Sequence, residues 1–417
     1  MRLRTLGLLA LLVWGLACAG PSQQSAPLRL EFWTIQLRPR FDDYMNRVIA
    51  AFEDANPGIH VDWIDLPQKS ILQKLMACIA GGVPPDLVNL NTGTALLLAQ
   101  NDALFELGSA LPPSARELYF ENLLEAANHR GGLYALPWYL STRVLIYNKD
   151  LLARAGLDPE RPPRTWEEVA EVARAVRART PAYGYIPVVR IVDDWRMWGV
   201  PIWDPASGRA LFNTPAGATR LVWYARLYEE GVIPRESLTE GFQGALDRYK
   251  QGALALLEAG PQLLLKIQSD APSVYSRTGV APLPETPTGT LPASLMNLVV
   301  PRSSLHRDLA VKFALFLTSP ANQLAFVQEV PLLPSTRQTA QDDFFRLGKG
   351  EPLQDEAIRI SLQQLPQARD FSLGLDHQQD LERLLKEAVE ATLYGRLEAE
   401  EALNQAALEW NRTMGLP

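Results

Sequence analysis

The residues of this chain with most chemistry to offer are aromatic rings set beside carboxylates and amides. Trp138-Tyr139 and Asp193-Asp194-Trp195 are the clearest cases, and Trp33, Gln68, Asn91 and Thr92 supply further rings, amides and hydroxyls. A ring face packs against the C–H face of a pyranose, while neighbouring carboxylates accept hydrogen bonds from its hydroxyls. Amide and hydroxyl side chains both donate and accept. Such a set suits a neutral, hydroxyl-rich ligand. The other tryptophans Trp166, Trp223 and Trp410 fall inside segments of helical periodicity and are expected in the core.

Catalytic patterns find little support. The four histidines, at 60, 129, 306 and 377, lie far apart, with no HExxH and no clustered Cys/His spacing, so no metal site is expected. The chain has no G-x-S-x-G elbow, no Walker loop and no G-x-G-x-x-G fingerprint. A pair of its many carboxylates could flank a glycosidic bond as acid and nucleophile, which keeps a secreted carbohydrate-active enzyme as an alternative. No cofactor is called for. There are 40 basic and 47 acidic residues, and no basic block of five, which argues against nucleic acid as a partner.

The elements that must position these residues alternate between strand and helix. Leu28 to Trp33 reads as a strand, Tyr44 to Ala55 as a helix, and Asn56-Pro57-Gly58 turns the chain into a second strand, His60 to Ile64. Ser70 to Ala80 is a further helix, and Asp86 to Leu90 an apolar strand that both faces could bury. This alternation predicts a doubly wound α/β sheet, whose ligands meet loops at the carboxyl ends of the strands. Trp33 to Gln36, Pro67-Gln68 and Asn91-Thr92 are those loops. Val144 to Tyr147 begins a second unit, and Thr165-Trp166-Glu167-Glu168 is a capping box that starts a helix at Trp166. Thr214 with Pro215, and Ser319 with Pro320, read as two more helix starts, and Gln378 to Met414 as helical throughout.

Tyr147-Asn148-Lys149-Asp150, Ala155-Gly156-Leu157 and Pro163 to Glu168, taken together, resemble the hinge region of the extracellular solute-binding proteins that feed sugars to ABC importers. NPGIHV and GGVPPDLV resemble the same family where its second and third strands open. The resemblance implies two doubly wound lobes joined by a three-segment hinge, with residues 28–140 and 278–330 in one lobe and 141–277 and 331–417 in the other. Crossings are expected near Ser141, Arg277 and Leu333. It makes Ala259-Gly260-Pro261-Gln262 a ligand-facing loop, and Gln262 and Asn297 complete the candidate set. It implies a monomer that binds a neutral di- or oligosaccharide, α-glucoside-like, presents it to a permease and performs no chemistry on it. Two departures bear on which sugar: Ser141 stands where relatives often carry an acid, and Gly260-Pro261-Gln262 lacks the tryptophan many relatives have. A charged solute such as a glycerol phosphodiester remains an alternative, with Arg143 and Arg337 as its candidate cations.

The N-terminus has the three parts of an export signal: Arg2 and Arg4, an uncharged stretch from Leu6 to Ala17, and Cys18. That stretch is shorter than the roughly 20 residues that span a bilayer. Gly15-Leu16-Ala17-Cys18 resembles a lipobox, which would make residues 1–17 a lipoprotein signal peptide, Cys18 the lipidated residue and 18–27 a tether. Cleavage after Ala19 by an ordinary signal peptidase is the other reading. Both send the protein out of the cytoplasm, to the periplasm or cell surface. Cys78 is then without a partner, and the helical spacing of Leu72, Leu75, Met76 and Ile79 around it predicts a small packing residue.

Overall fold

The computed structural model describes residues 27–416, apart from 188–190, 235 and 376 and the side chains of 237–240. The signal, Cys18 and most of the tether lie outside the described residues. Two sheets organise the chain. In the first, Leu28–Ile35 lies between Ile59–Leu66 and Leu87–Asn91, parallel to both. The helices Asp42–Asp54 and Gln68–Ala80 make the crossovers. Along Leu28–Ile35 the side chains alternate between two cores: Leu30 and Phe32 join one cluster, Trp33 and Ile35 the other. This period of two on a sheet covered on both faces explains why the strand is apolar nearly throughout.

The remaining strands of this sheet enter differently. Leu291–Val299 runs antiparallel to Leu87–Asn91 and to Leu136–Thr142. Leu333–Pro334 adds to the outer edge of Leu136–Thr142, and Ala368–Arg369 pairs in parallel with the start of Leu291–Val299. The second sheet has the order Thr278–Ala281, Val144–Asn148, Leu254–Ala259, Tyr183–Tyr185. Its cores divide by the same alternation, with Leu145 and Tyr147 in one and Val144 and Ile146 in the other.

These pairings move the lobe boundaries. Thr278–Ala281 hydrogen-bonds along Val144–Asn148, so it belongs to the second sheet and the return crossing follows Ala281 rather than lying at Arg277. Leu333–Pro334 and Ala368–Arg369 are both held in the first sheet, which carries the last crossing from Leu333 to beyond Arg369. Only the first crossing stands near its expected place, at Arg143 between Leu136–Thr142 and Val144–Asn148. The sequence could not show this, because short edge strands such as Leu333–Pro334 carry no periodicity.

Local signals fared unevenly for physical reasons. The Thr165 hydroxyl accepts from the Glu168 N–H and the Glu168 carboxylate from the Arg164 N–H, so the box caps Trp166–Arg179. Thr214 accepts from the Gly217 N–H ahead of Pro215–Glu229. Ser319 precedes Pro320–Val327 but makes no side-chain cap. The C-terminal stretch is two helices, Gln378–Leu393 and Ala399–Thr413, folded against one another. Their apolar faces, including Leu385, Leu403 and Trp410, lie in the second lobe's core. Cys78 is partly buried against the first lobe's cluster.

Candidate functional site

The chain crosses between the sheets at Arg143, and a cavity of about 240 Å³ opens there. Ser141, Thr142, Pro292 and Ser294 form its wall from the first sheet; Glu258, Ala259, Gly260, Gln262, Leu263 and Phe242 form the wall from the second. Each arrives for a local reason. Ser141 and Ser294 are cross-strand partners, so the hinge backbone closes that side with ladder hydrogen bonds. Glu258 and Ala259 end the central strand of the second sheet, beside the parallel end of Tyr183–Tyr185, the place where α/β sheets collect ligands. Phe242 follows Gly241, whose φ of 57° breaks the surrounding helix; a residue with a Cβ resists that conformation.

The electrostatics are those of a paired, half-enclosed charge cluster. The Arg143 guanidinium donates to Asp193 at 2.9 Å and lies 3.9 Å from Glu258. The Tyr185 hydroxyl donates to Glu258 at 2.5 Å. Burial pushes the Glu258 carboxyl above the usual carboxylate range, against the pull of Arg143 and the Tyr185 hydrogen bond. Behind the cavity, Asp194 takes three hydrogen bonds from Arg220 and one from Tyr224, all buried. Burial alone would weaken the charge on Arg220, but the facing Asp194 holds it fully ionised, and the rings of Trp166, Trp198, Trp223 and Tyr224 surround it. This assembly fixes helix Ile191–Met197 and thereby aims Asp193 at Arg143.

The expected ring platforms are elsewhere. Trp138 is on strand Leu136–Thr142 rather than in a loop, fully buried among Phe32, Tyr139 and Phe326. Tyr139 packs on Phe326 in the same core. Trp195 lies within helix Ile191–Met197, fully buried and stacked on Phe212. Trp33 is also a strand residue, 6% exposed, with its indole N–H donating to Glu31. All four rings are core residues, because a ring of 150–250 Å² is drawn inward wherever a sheet face is covered. Trp166, Trp223 and Trp410 are helical, as read from the sequence.

The polar candidates divide as well. Asn91 caps helix Thr92–Gln100 by accepting from the Thr94 N–H, and Thr92 accepts from the buried Asn297 amide. Those three hold the first lobe together at the end of its central strands. Gln68 is the exposed first residue of Gln68–Ala80. Gln262 is the candidate that lines the cavity, and Asp193 reaches it through Arg143. Thr142, Arg143, Glu258 and Ser294 were missed as sugar contacts. Glu258 had a readable signal, a lone acid ending the apolar run Ala253 to Leu257. Arg143 had been weighed as an anion ligand, whereas here it answers two carboxylates, and Arg337 donates to the Tyr119 carbonyl away from this cavity.

Comparison with known proteins fits this geometry. The profile of the bacterial extracellular solute-binding protein family matches residues 38–324. The crystal structure of a candidate oligosaccharide periplasmic-binding protein from Synechococcus sp. MITs9220 superposes with a TM-score of 0.83 at 34% identity, covering 93% of this chain and 100% of that one. The cyclic alpha-maltosyl-1,6-maltose binding protein of Arthrobacter globiformis gives 0.79 at 19% identity, over 93% of this chain and 98% of that one, a likeness of fold. The sn-glycerol-3-phosphate-binding periplasmic protein UgpB of Escherichia coli (strain K12) is 24% identical over 446 residues, covering 97% of this chain and 96% of its own. Two α/β lobes, a chain that crosses between them beside a polar cavity, and a family match over most of its length make this chain a member of the bacterial extracellular solute-binding proteins, the extracytoplasmic, non-enzymatic components that hand a solute to an ABC importer.

Proposed function

We propose that the protein binds a neutral di- or oligosaccharide, α-glucoside-like, between its lobes and delivers it to an ABC importer permease. The observation that carries this reading is the composition of the cavity at the hinge. Hydroxyls of Ser141, Thr142 and Ser294 and the amide of Gln262 stand beside apolar Phe242, Leu263 and Pro292, and the charges present are already paired with each other. Hydroxyls and amides that donate and accept suit a sugar, and apolar surface suits the faces of its ring. A phosphodiester would require cations that converge without partners. Among the described residues Arg143 is engaged by Asp193, and Arg337 by the Tyr119 carbonyl.

Closure follows from the three crossings, at Arg143, between Ala281 and Leu291, and between Arg369 and Leu375. Several linkers confine the lobes to a hinge, and contacts from both sides of the cavity favour the closed state when the ligand is present. Thermal unfolding in the presence of a panel of sugars and of phosphate esters tests the reading, since whatever binds the native state raises Tm. A sugar is expected to do so, to lower the radius of gyration in small-angle scattering, and to be recovered unchanged. Stabilisation by glycerol phosphodiesters alone would overturn it. The lipid anchor is proposed on the N-terminal pattern: Cys18→Ser should move the protein from the membrane to the soluble fraction, and unchanged retention would remove the anchor.

A further inference from the structure

Two buried oxygens in the wall of the hinge cavity have no hydrogen-bond partner: Thr142 Oγ1 and Gln262 Oε1. Thr142 is only 2% exposed. A buried polar atom left unpaired costs on the order of 1–3 kcal/mol, so two facing one cavity call for a partner supplied from outside. Gly260 is part of the arrangement. A Cβ there would collide with the Gln262 carboxamide, so the absence of a side chain at 260 is what lets that amide fold back to the wall.

We propose that this cavity is a subsite for one terminal ring of the ligand, with Thr142 and Gln262 as its selective contacts, so that the protein takes saccharides with a free end and rejects cyclic ones. The inference rests on the sugar reading above. Size and closure support it. At about 240 Å³ the cavity is smaller than the roughly 300–1,000 Å³ of pockets that enclose a whole small ligand. It has room for a ring and not for a chain that must pass through. The hydrogen-bonded pair Ser141 and Ser294 closes one side and the strand end Glu258–Gly260 another, and a ring linked at both ends meets backbone where its second link would leave. Phe242, Leu263 and Pro292 provide the apolar surface. Gln262 stands where many relatives carry a tryptophan. An amide that folds back on Gly260 leaves open the volume an indole would fill.

The test is titration calorimetry of the full-length protein with maltotriose, trehalose, sucrose and cyclomaltohexaose. The parent is expected to bind a linear sugar at least about tenfold more tightly than cyclomaltohexaose. Thr142→Val and Gln262→Leu should each weaken the linear sugar by about tenfold. Gly260→Ala, which keeps both polar groups but displaces the carboxamide, should do the same as Gln262→Leu, and thermal unfolding confirms that each variant is folded. Cyclomaltohexaose bound as tightly as the linear sugar, or all three variants binding a linear sugar with parental affinity, would overturn the subsite alone. A panel in which no sugar binds would remove the sugar reading and the subsite with it.

Discussion

Strand Leu136–Thr142 holds two regions with opposite fates. At its start, Trp138 and Tyr139 are shut into the first lobe's core against Phe326; at its end, Ser141, Thr142 and the adjoining Arg143 line the hinge cavity. The second lobe repeats the contrast within helix Ile191–Met197, where Trp195 stacks on Phe212 while Asp193 reaches out to Arg143. In both places the ring is the anchor that sets its smaller polar neighbours at the cavity. Residue type alone pointed to the rings. What marks the site is hydrogen-bonding capacity left unused beside open volume, as at Thr142 and Gln262.

The contrast is broken most severely at its anchors. Trp138→Ala and Trp195→Ala should each lose about 3–5 kcal/mol of stability, as large buried rings do, while the molecules that remain folded bind sugar with parental affinity. Chemical denaturation and calorimetry on the same samples separate the two effects. Weakened binding at full stability would return the rings to the site. Arg220→Ala should fall in a similar range, about 3–5 kcal/mol, because it strands the Asp194 carboxylate among four rings. It should also weaken sugar binding through the loosened helix that carries Asp193.

A smaller effect is expected at the cavity itself. Arg143→Met removes a charge-assisted hydrogen bond to Asp193 and should cost about 1.5–3 kcal/mol. It leaves phosphate esters as poor ligands, since the arginine already serves two carboxylates. Gain or loss of phosphate-ester binding on this substitution would show that Arg143 is a ligand group instead.

The smallest and most specific effect concerns Glu258. Its folded-state pKa lies above its unfolded value, so the folded protein holds this proton where the unfolded chain has released it. Its contribution is present below the unfolded pKa and is lost as pH rises through the folded one. Glu258→Gln keeps an acceptor for Tyr185 without the buried charge. The variant should therefore gain in Tm relative to the parent at neutral pH, with the difference shrinking as pH falls toward the ordinary carboxylate range. A difference that grows on acidification would mean that pairing with Arg143, not burial, governs this group.

Much of the fold was legible because it is written in short-range patterns. The βαβ start, the capping box at Thr165 to Glu168 and the strand Val144–Asn148 each follow from periodicity or cap chemistry confined to a few neighbours. The crossings near Arg277 and Leu333 were misplaced because strand membership is decided by partners far along the chain. Thr278–Ala281 pairs with Val144–Asn148, and Leu333–Pro334 is strand only by virtue of Leu136–Thr142. For the site, Gln262 and Asp193 were found, Trp33, Trp138, Tyr139 and Trp195 were placed in loops or at edges they do not occupy, and Glu258 was passed over. Asn91, Thr92 and Asn297 were correctly read as polar groups at strand ends, yet their bonds are to each other and to the backbone.

By itself the sequence determined the class of the molecule: alternating strands and helices, two cores, and the hinge motifs of a solute-binding family. These depend on side chains a few residues apart, and local propensity and amphipathic period act at that range. Only the tertiary structure decided which polar groups are used up and which remain available. Whether Arg143 meets an anion or Asp193, whether Gln262 finds a partner, and whether a tryptophan faces a ligand or Phe212 all depend on segments 50 to 200 residues away, because a hydrogen bond is satisfied in space and not along the chain.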